Sequence, residues 1–164
     1  MTKNSVKSRR GLMAAGVLGL AGAGVAKGQA GESWKPKKQI IGLRPGQSTK
    51  GMLLAGCIRS GHLLFVAGIG GWYPERRKEP GDVKVQIRSA LESLQTRLQQ
   101  AGSSMSNVLK ITIALSDMPS NFAPMNEVYK EFFPEEPPVR SVFPAATYHR
   151  KEQLLQMDAI AYVD

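Results

Sequence analysis

The sequence predicts an α+β domain: a mixed sheet with two helices on one of its faces. Three observations predict it. Apolar residues alternate along some stretches and recur at helical spacing along others. Breaks rich in Gly and Pro separate these stretches. The resulting order is strand, strand, helix, strand, helix, strand, strand, and two amphipathic helices suffice to cover one face of such a sheet.

The chain has 164 residues, enough for one ordinary domain. Residues 1–30 read as a separate object. They have a basic start, an apolar stretch of 14 residues from Leu12 to Val25, and small residues near Ala30. That is the layout of an export signal, and Ser8-Arg9-Arg10-Gly11-Leu12-Met13 resembles a twin-arginine signal. The stretch falls short of the ~20 residues a membrane span needs. The expected location is therefore exported and periplasmic, or cytoplasmic if the tail is not a functional signal, with no membrane contact beyond the signal segment. Residues 31–50 are polar, hold Trp34, Pro36 and Pro45, and read as an irregular leader. The folded domain is expected over 51–164.

Met52–Ile58 and Leu63–Gly68 are apolar runs separated by Arg59-Ser60-Gly61-His62, a hairpin signal. A loop rich in Gly and Pro follows. From Asp82 to Gly102, Val83, Ile87, Ala90, Leu91, Leu94, Leu98 and Ala101 form one apolar stripe. Asp82 suits the cap and Gly102 the left-handed end of that helix. Val108–Ser116 alternates as a strand, with Leu109, Ile111, Ile113 and Leu115 on one side. Asn121 suits the cap of a second helix with Pro124 in its first turn. Phe122, Met125, Tyr129 and Phe132 make its stripe, and Pro134, Pro137 and Pro138 end it. Arg140–Thr147 and Leu154–Val163 read as two further strands. The uncovered sheet face is expected to hold Leu64, Val66, Ala114, Ile160 and Tyr162, too apolar for water. A second copy of the chain is the expected cover, with clefts between subunits as the place for a site.

A formal charge of +9 suggests nucleic acid, but its placement argues otherwise. The first thirty residues carry five basic and no acidic residues, which leaves 17 basic and 13 acidic in the remainder. The one dense run, Arg76-Arg77-Lys78, lies in the Gly/Pro loop and reads as solvated. The single cysteine, Cys57, excludes an internal disulfide and sits in an apolar stretch, where a small buried hydrophobe is expected.

His62 and His149 are the only histidines, and no cluster with metal-ligand spacing accompanies them. Gly68-Ile69-Gly70-Gly71 lacks the lysine and hydroxyl residue of a phosphate loop. Arg140 is the informative residue. It follows Pro137-Pro138 and enters a strand beside Val139, Val142 and Phe143. A guanidinium cannot shed its charge, so burial there demands an anion or several carbonyls. Spacing alone favours an internal ion pair with Glu135, Glu136 or Asp158. The other solution is a ligand carboxylate, gripped by two parallel hydrogen bonds.

From about Gly61 onward the chain resembles the RidA/YjgF family of enamine/imine deaminases. The matching pieces are "LLFVAG" at 63–68, "QIRSALESLQTRLQQAG" at 86–102, "VLKITIALSDM" at 108–118, "NEVYKEFF" at 126–133, "PPVRS" at 137–141 and "MDAIA" at 157–161. The resemblance implies a chorismate-mutase-like fold, a homotrimer with three clefts between subunits, and neither metal nor organic cofactor. It implies that Arg140 binds a substrate carboxylate. Asn126, facing inward from the second helix, is expected to line the cleft or else to be a polar residue of the helix surface, and Gly68 and Val142 are further candidate substrate contacts. The implied activity is hydrolysis of 2-enamine or 2-imine intermediates to 2-oxo acids and ammonia. There are departures: Leu54 where the family has tyrosine, Ala67 for serine, Ile69 for glutamine, Val142 for cysteine, and Gln156 for the glutamate that orients the water. Glutamine can hold a water but cannot take its proton. The expected catalytic residues are thus Arg140 and Gln156. The alternatives are a non-catalytic binding module for small carboxylates and an interaction protein with a vestigial cleft.

Overall fold

The computed structural model describes residues 37–71 and 80–164. The expected export signal at 1–30 and the basic run at 76–78 lie outside the described residues. Among the described residues six strands and two α-helices follow one another: β1 Lys38–Ile40, β2 Cys57–Ser60, β3 Leu63–Gly70, α1 Val83–Gln100, β4 Val108–Ser116, α2 Met118–Phe132, β5 Val139–Ala145 and β6 Leu155–Tyr162. They form one sheet in the order β1-β2-β3-β6-β4-β5. Only β4 and β5 run parallel, and α2 supplies the crossover that a parallel pair needs. The fold is the expected mixed α+β sheet.

Helix α1 follows its sequence closely. Asp82 accepts a hydrogen bond from the Val85 amide, and Gly102 adopts a φ of 79° just beyond the last turn. Val83, Ile87, Ala90, Leu91, Leu94 and Leu98 are all buried. Each fully buried leucine contributes about 1.5–3 kcal/mol through removal of apolar surface from water. Gln86 is buried in the same helix, yet fully satisfied. It donates to the carbonyls of Gly81 and Glu152 and accepts from the Leu154 amide, tying both ends of the sheet's loops to α1. Gly71 lies so close that a Cβ there would sit 2.3 Å from that of Gln86, so only glycine fits.

Several expectations are corrected. Residues 38–40 of the expected irregular leader form strand β1, paired antiparallel with β2. The first hairpin strand starts at Cys57 instead of Met52, and Leu53 and Leu54 are left exposed in the segment before it. In β4 the alternation breaks between Val108 and Lys110, which turns Val108 inward and Leu109 outward. Helix α2 begins one turn early: Asp117, at a φ of 42°, precedes it, and Pro119 occupies the first turn. Pro124 is consequently inside the helix, and Asn121 donates from Nδ2 to the Ser116 carbonyl instead of capping. Met125, Val128 and Tyr129 face the core, with Phe133 just beyond the helix, while Phe122 is exposed.

The sheet faces are also reassigned. Leu64 and Val66 are buried under the helices, in phase with Ala161 and Ala159 of β6. The open face carries Ala114, Ile160 and Tyr162, as expected, together with Phe65 and Phe143, which are 42% and 56% exposed. Among the described residues no helix is long and apolar enough to cross a membrane.

Candidate functional site

Two polar sites flank the sheet, one on each face. The first forms where β5 leaves the Pro137-Pro138 pair. Arg140 is in register with the buried Ile111, so its side chain lies on the helix side of the sheet. There its guanidinium carbon sits 4.3 Å from the centroid of the Tyr129 ring. A charge over an aromatic face is favoured without being neutralised. Among the described residues no carboxylate pairs with Arg140. Glu135 and Glu136 are exposed, and Asp158 lies on the other face. The expected internal ion pair with Glu135, Glu136 or Asp158 is therefore absent.

Arg140 lines a groove of about 500 Å³ with Asn126, Tyr129 and Lys130, walled by Phe133 and the two prolines. Asn126 thus joins Arg140, as the sequence implies. The Tyr129 ring also stacks near Phe133, 4.9 Å between centroids. Burial pushes the Tyr129 phenol up to about 12, partly offset by the Arg140 charge, so it stays neutral beside the cation. The Tyr129 hydroxyl and Asn126 Oδ1 are buried and have no hydrogen-bond partner among the described residues. Val142 shares the face of Arg140 but packs against the core and does not line the groove.

The second site is a smaller pocket of about 210 Å³ on the open face, lined by Thr112, Ala114, Tyr148, Gln156 and Asp158. Gln156 pairs with Ala114, and Asp158 with Thr112, which puts both side chains on this face. The Tyr148 hydroxyl donates to the Ala114 carbonyl at 2.6 Å and closes one side of the pocket. Its phenol is pushed up by burial, an effect reduced by a hydrogen bond with the Gln156 backbone. Gly68 belongs to this face too. It adopts a φ of 68° in a bulge between Val66 and Ile69. Its N–H donates to Asp158 Oδ1 at 3.0 Å, so that amide is already engaged.

Arg97 holds the same bulge from the helix side. It donates to the carbonyls of Ala67 and Gly56 at 3.1 and 3.3 Å. Burial lowers its pKa, and the neighbouring Cys57 thiol is buried and raised for the same reason. Cys57 is the small buried group its apolar context predicts.

The two sites do not meet within one chain. Arg140 and Asn126 lie on the helix side; Gln156 and Gly68 lie on the open side. Sequence reading missed the roles of Tyr129, Tyr148, Thr112 and Arg97. Tyr129 stands three positions from Asn126, and so on the same helix face. Tyr148 lies in an irregular loop whose local sequence carries no signal.

A family model described as endoribonuclease L-PSP matches residues 53–163. A RutC family protein of Pyrococcus abyssi is 39% identical over 106 residues, 64% of this chain and 82% of the relative. The putative reactive intermediate deaminase TdcF of Escherichia coli K12 is 35% identical over 62% of this chain and 79% of its own. The 2-iminobutanoate/2-iminopropanoate deaminase of Mus musculus is 32% identical over 60% and 72% respectively. The crystal structure of Escherichia coli TdcF with bound serine superposes with a TM-score of 0.65 at 29% identity, covering 77% of this chain and 99% of that one.

Proposed function

Because the chain belongs to the RidA/YjgF family, whose model is described as endoribonuclease L-PSP, we propose that it hydrolyses reactive 2-imine and 2-enamine intermediates. The products are 2-oxo acids and ammonia, and the site is a cleft between copies of the chain. The observation that carries this is Arg140: a permanent cation, half-buried against Tyr129, with no carboxylate of its own among the described residues. A small carboxylate is the anion its planar fork suits.

The opposed faces support a shared cleft. Arg140 of one copy meets Gln156 only if a second copy presents its open face. Exposed Phe65 and Phe143 give that face the apolar surface a partner would cover. Because the two surfaces differ, the contact is head-to-tail, and such a contact forms a ring where its rotation closes. A homotrimer with three clefts is the ring we propose. In each cleft Arg140 and Asn126 fix the substrate, while Gln156 of the neighbouring copy holds water beside the imine carbon. The substrates are labile, so positioning alone lowers much of the barrier.

The test is ammonia release from 2-imino acids generated in situ. The wild-type protein accelerates it, and Arg140→Ala abolishes the effect. Loss of the charged contact costs about 1.5–3 kcal/mol of binding to short 2-oxo acids. Gln156 favours one competing reading, a binding module with little turnover, because an amide is no base. Arg140-dependent binding with background ammonia release would select it. Export remains part of the proposal, on the pattern of residues 1–30, and cell fractionation tests it.

A further inference from the structure

We infer that Asp158 is the general base of the site, the carboxylate that receives the proton of the attacking water. The inference rests on the hydrolytic reading above. Position 156 cannot supply a base, since an amide does not accept a proton at neutral pH. Strand alternation places Asp158 on the same face as Gln156, two residues on, and both line one pocket. It is the only carboxylate in that lining. Its Oδ1 accepts from the Gly68 amide, which orients the group and leaves Oδ2 for a water. Thr112, opposite it on β4, and the Tyr148 phenol add hydroxyls to the same pocket.

The step balances without a cofactor. Gln156 and Asp158 hold one water. Its oxygen forms a bond to the carbon of the protonated imine, and the C=N electron pair moves to nitrogen. The water's proton passes to Asp158. In the resulting carbinolamine, Asp158 returns that proton to nitrogen, the C–N bond breaks, and ammonia leaves. The hydroxyl proton is then lost to solvent, giving the 2-oxo acid. Arg140 of the neighbouring copy holds the carboxylate throughout.

Among the described residues the charged and titratable surroundings of Asp158 are few. Lys110 of β4 lies on the same face, in register with Ile160. The loop before β6 contributes Tyr148. The nearest part of β3 contributes Phe65, Ala67 and Gly68, and β5 contributes Ser141 and Phe143, none of them charged.

The decisive variant is Asp158→Asn in the full chain. Asparagine can still accept from the Gly68 amide but cannot take a proton. We expect ammonia release to fall about 10²-fold and the acid limb of the pH–rate profile to vanish. Melting temperature and calorimetric affinity for 2-oxobutanoate should hold. Asp158→Glu, which restores a displaced carboxylate, should recover part of the rate. Wild-type rate and acid limb in Asp158→Asn would overturn the inference, as would equal rates in the Asn and Glu variants. If the wild-type protein releases no ammonia above background, the hydrolytic reading falls first and takes this one with it.

Discussion

The groove around Arg140 and the pocket around Gln156 are built on opposite principles. In the groove a cation lies over an aromatic face, and among the described residues no carboxylate pairs with it. In the pocket the groups are already bonded: Asp158 to Gly68, and Tyr148 to Ala114. One region presents a bare cation; the other is prearranged around a small space. In the proposed reaction the first would serve recognition and the second chemistry, and the sheet between them keeps the two apart in any single copy.

The largest effect should come from denying the two regions each other. Phe143→Asp places a charge on the exposed apolar face, beside Ala114 at the edge of the pocket but outside the lining of either site. We expect the assembly to dissociate in sedimentation experiments and ammonia release to reach background while the monomer keeps its circular dichroism. Activity in a monodisperse monomer would break the proposed division. Next, Tyr129→Leu removes the ring beneath Arg140. Affinity for 2-oxobutanoate should drop by about 0.5–2 kcal/mol, less than for Arg140→Ala. Equal losses would mean that the ring merely fills space.

A smaller change sharpens the other side. Gln156→Glu should raise turnover only a few-fold, because Asp158 already brings a carboxylate to the pocket. A gain of about 10²-fold would show that position 156 was the missing base. The smallest effect concerns pH. The folded Tyr129 phenol titrates at about 12 against an ordinary 10.0. The unfolded chain therefore loses this proton first as pH rises, and stability should decline between those values. Urea denaturation at pH 9 and pH 11 measures the decline, which Tyr129→Phe should reduce.

Much of this architecture was legible in the residues. The stripe of α1 and the cap at Asp82 need only local periodicity, and both are found where the sequence puts them. Arg140 stood out because an arginine among apolar neighbours demands a partner. What escaped was whatever depends on phase or on distant chain. A single bulge at Gly68, pinned by Asp158 and Arg97, involves residues up to 90 positions apart. Leu64 and Val66 were assigned to the wrong face because alternation gives a period but not which side meets the helices. Pro119 and Pro124 both suit a helix start, and local rules could not choose between them. Tyr148 reaches Ala114 across the fold, 34 positions away.

The placement of Arg140 and Asp158 on opposite sides of one sheet has a genetic consequence. In the proposed rings, a chain lacking the guanidinium would still lend an intact carboxylate to its neighbour, and a chain lacking the carboxylate would still lend an intact guanidinium. Two inert alleles, expressed together, would therefore complement: mixed rings would contain some clefts with both groups, and dominance would depend on how subunits sort.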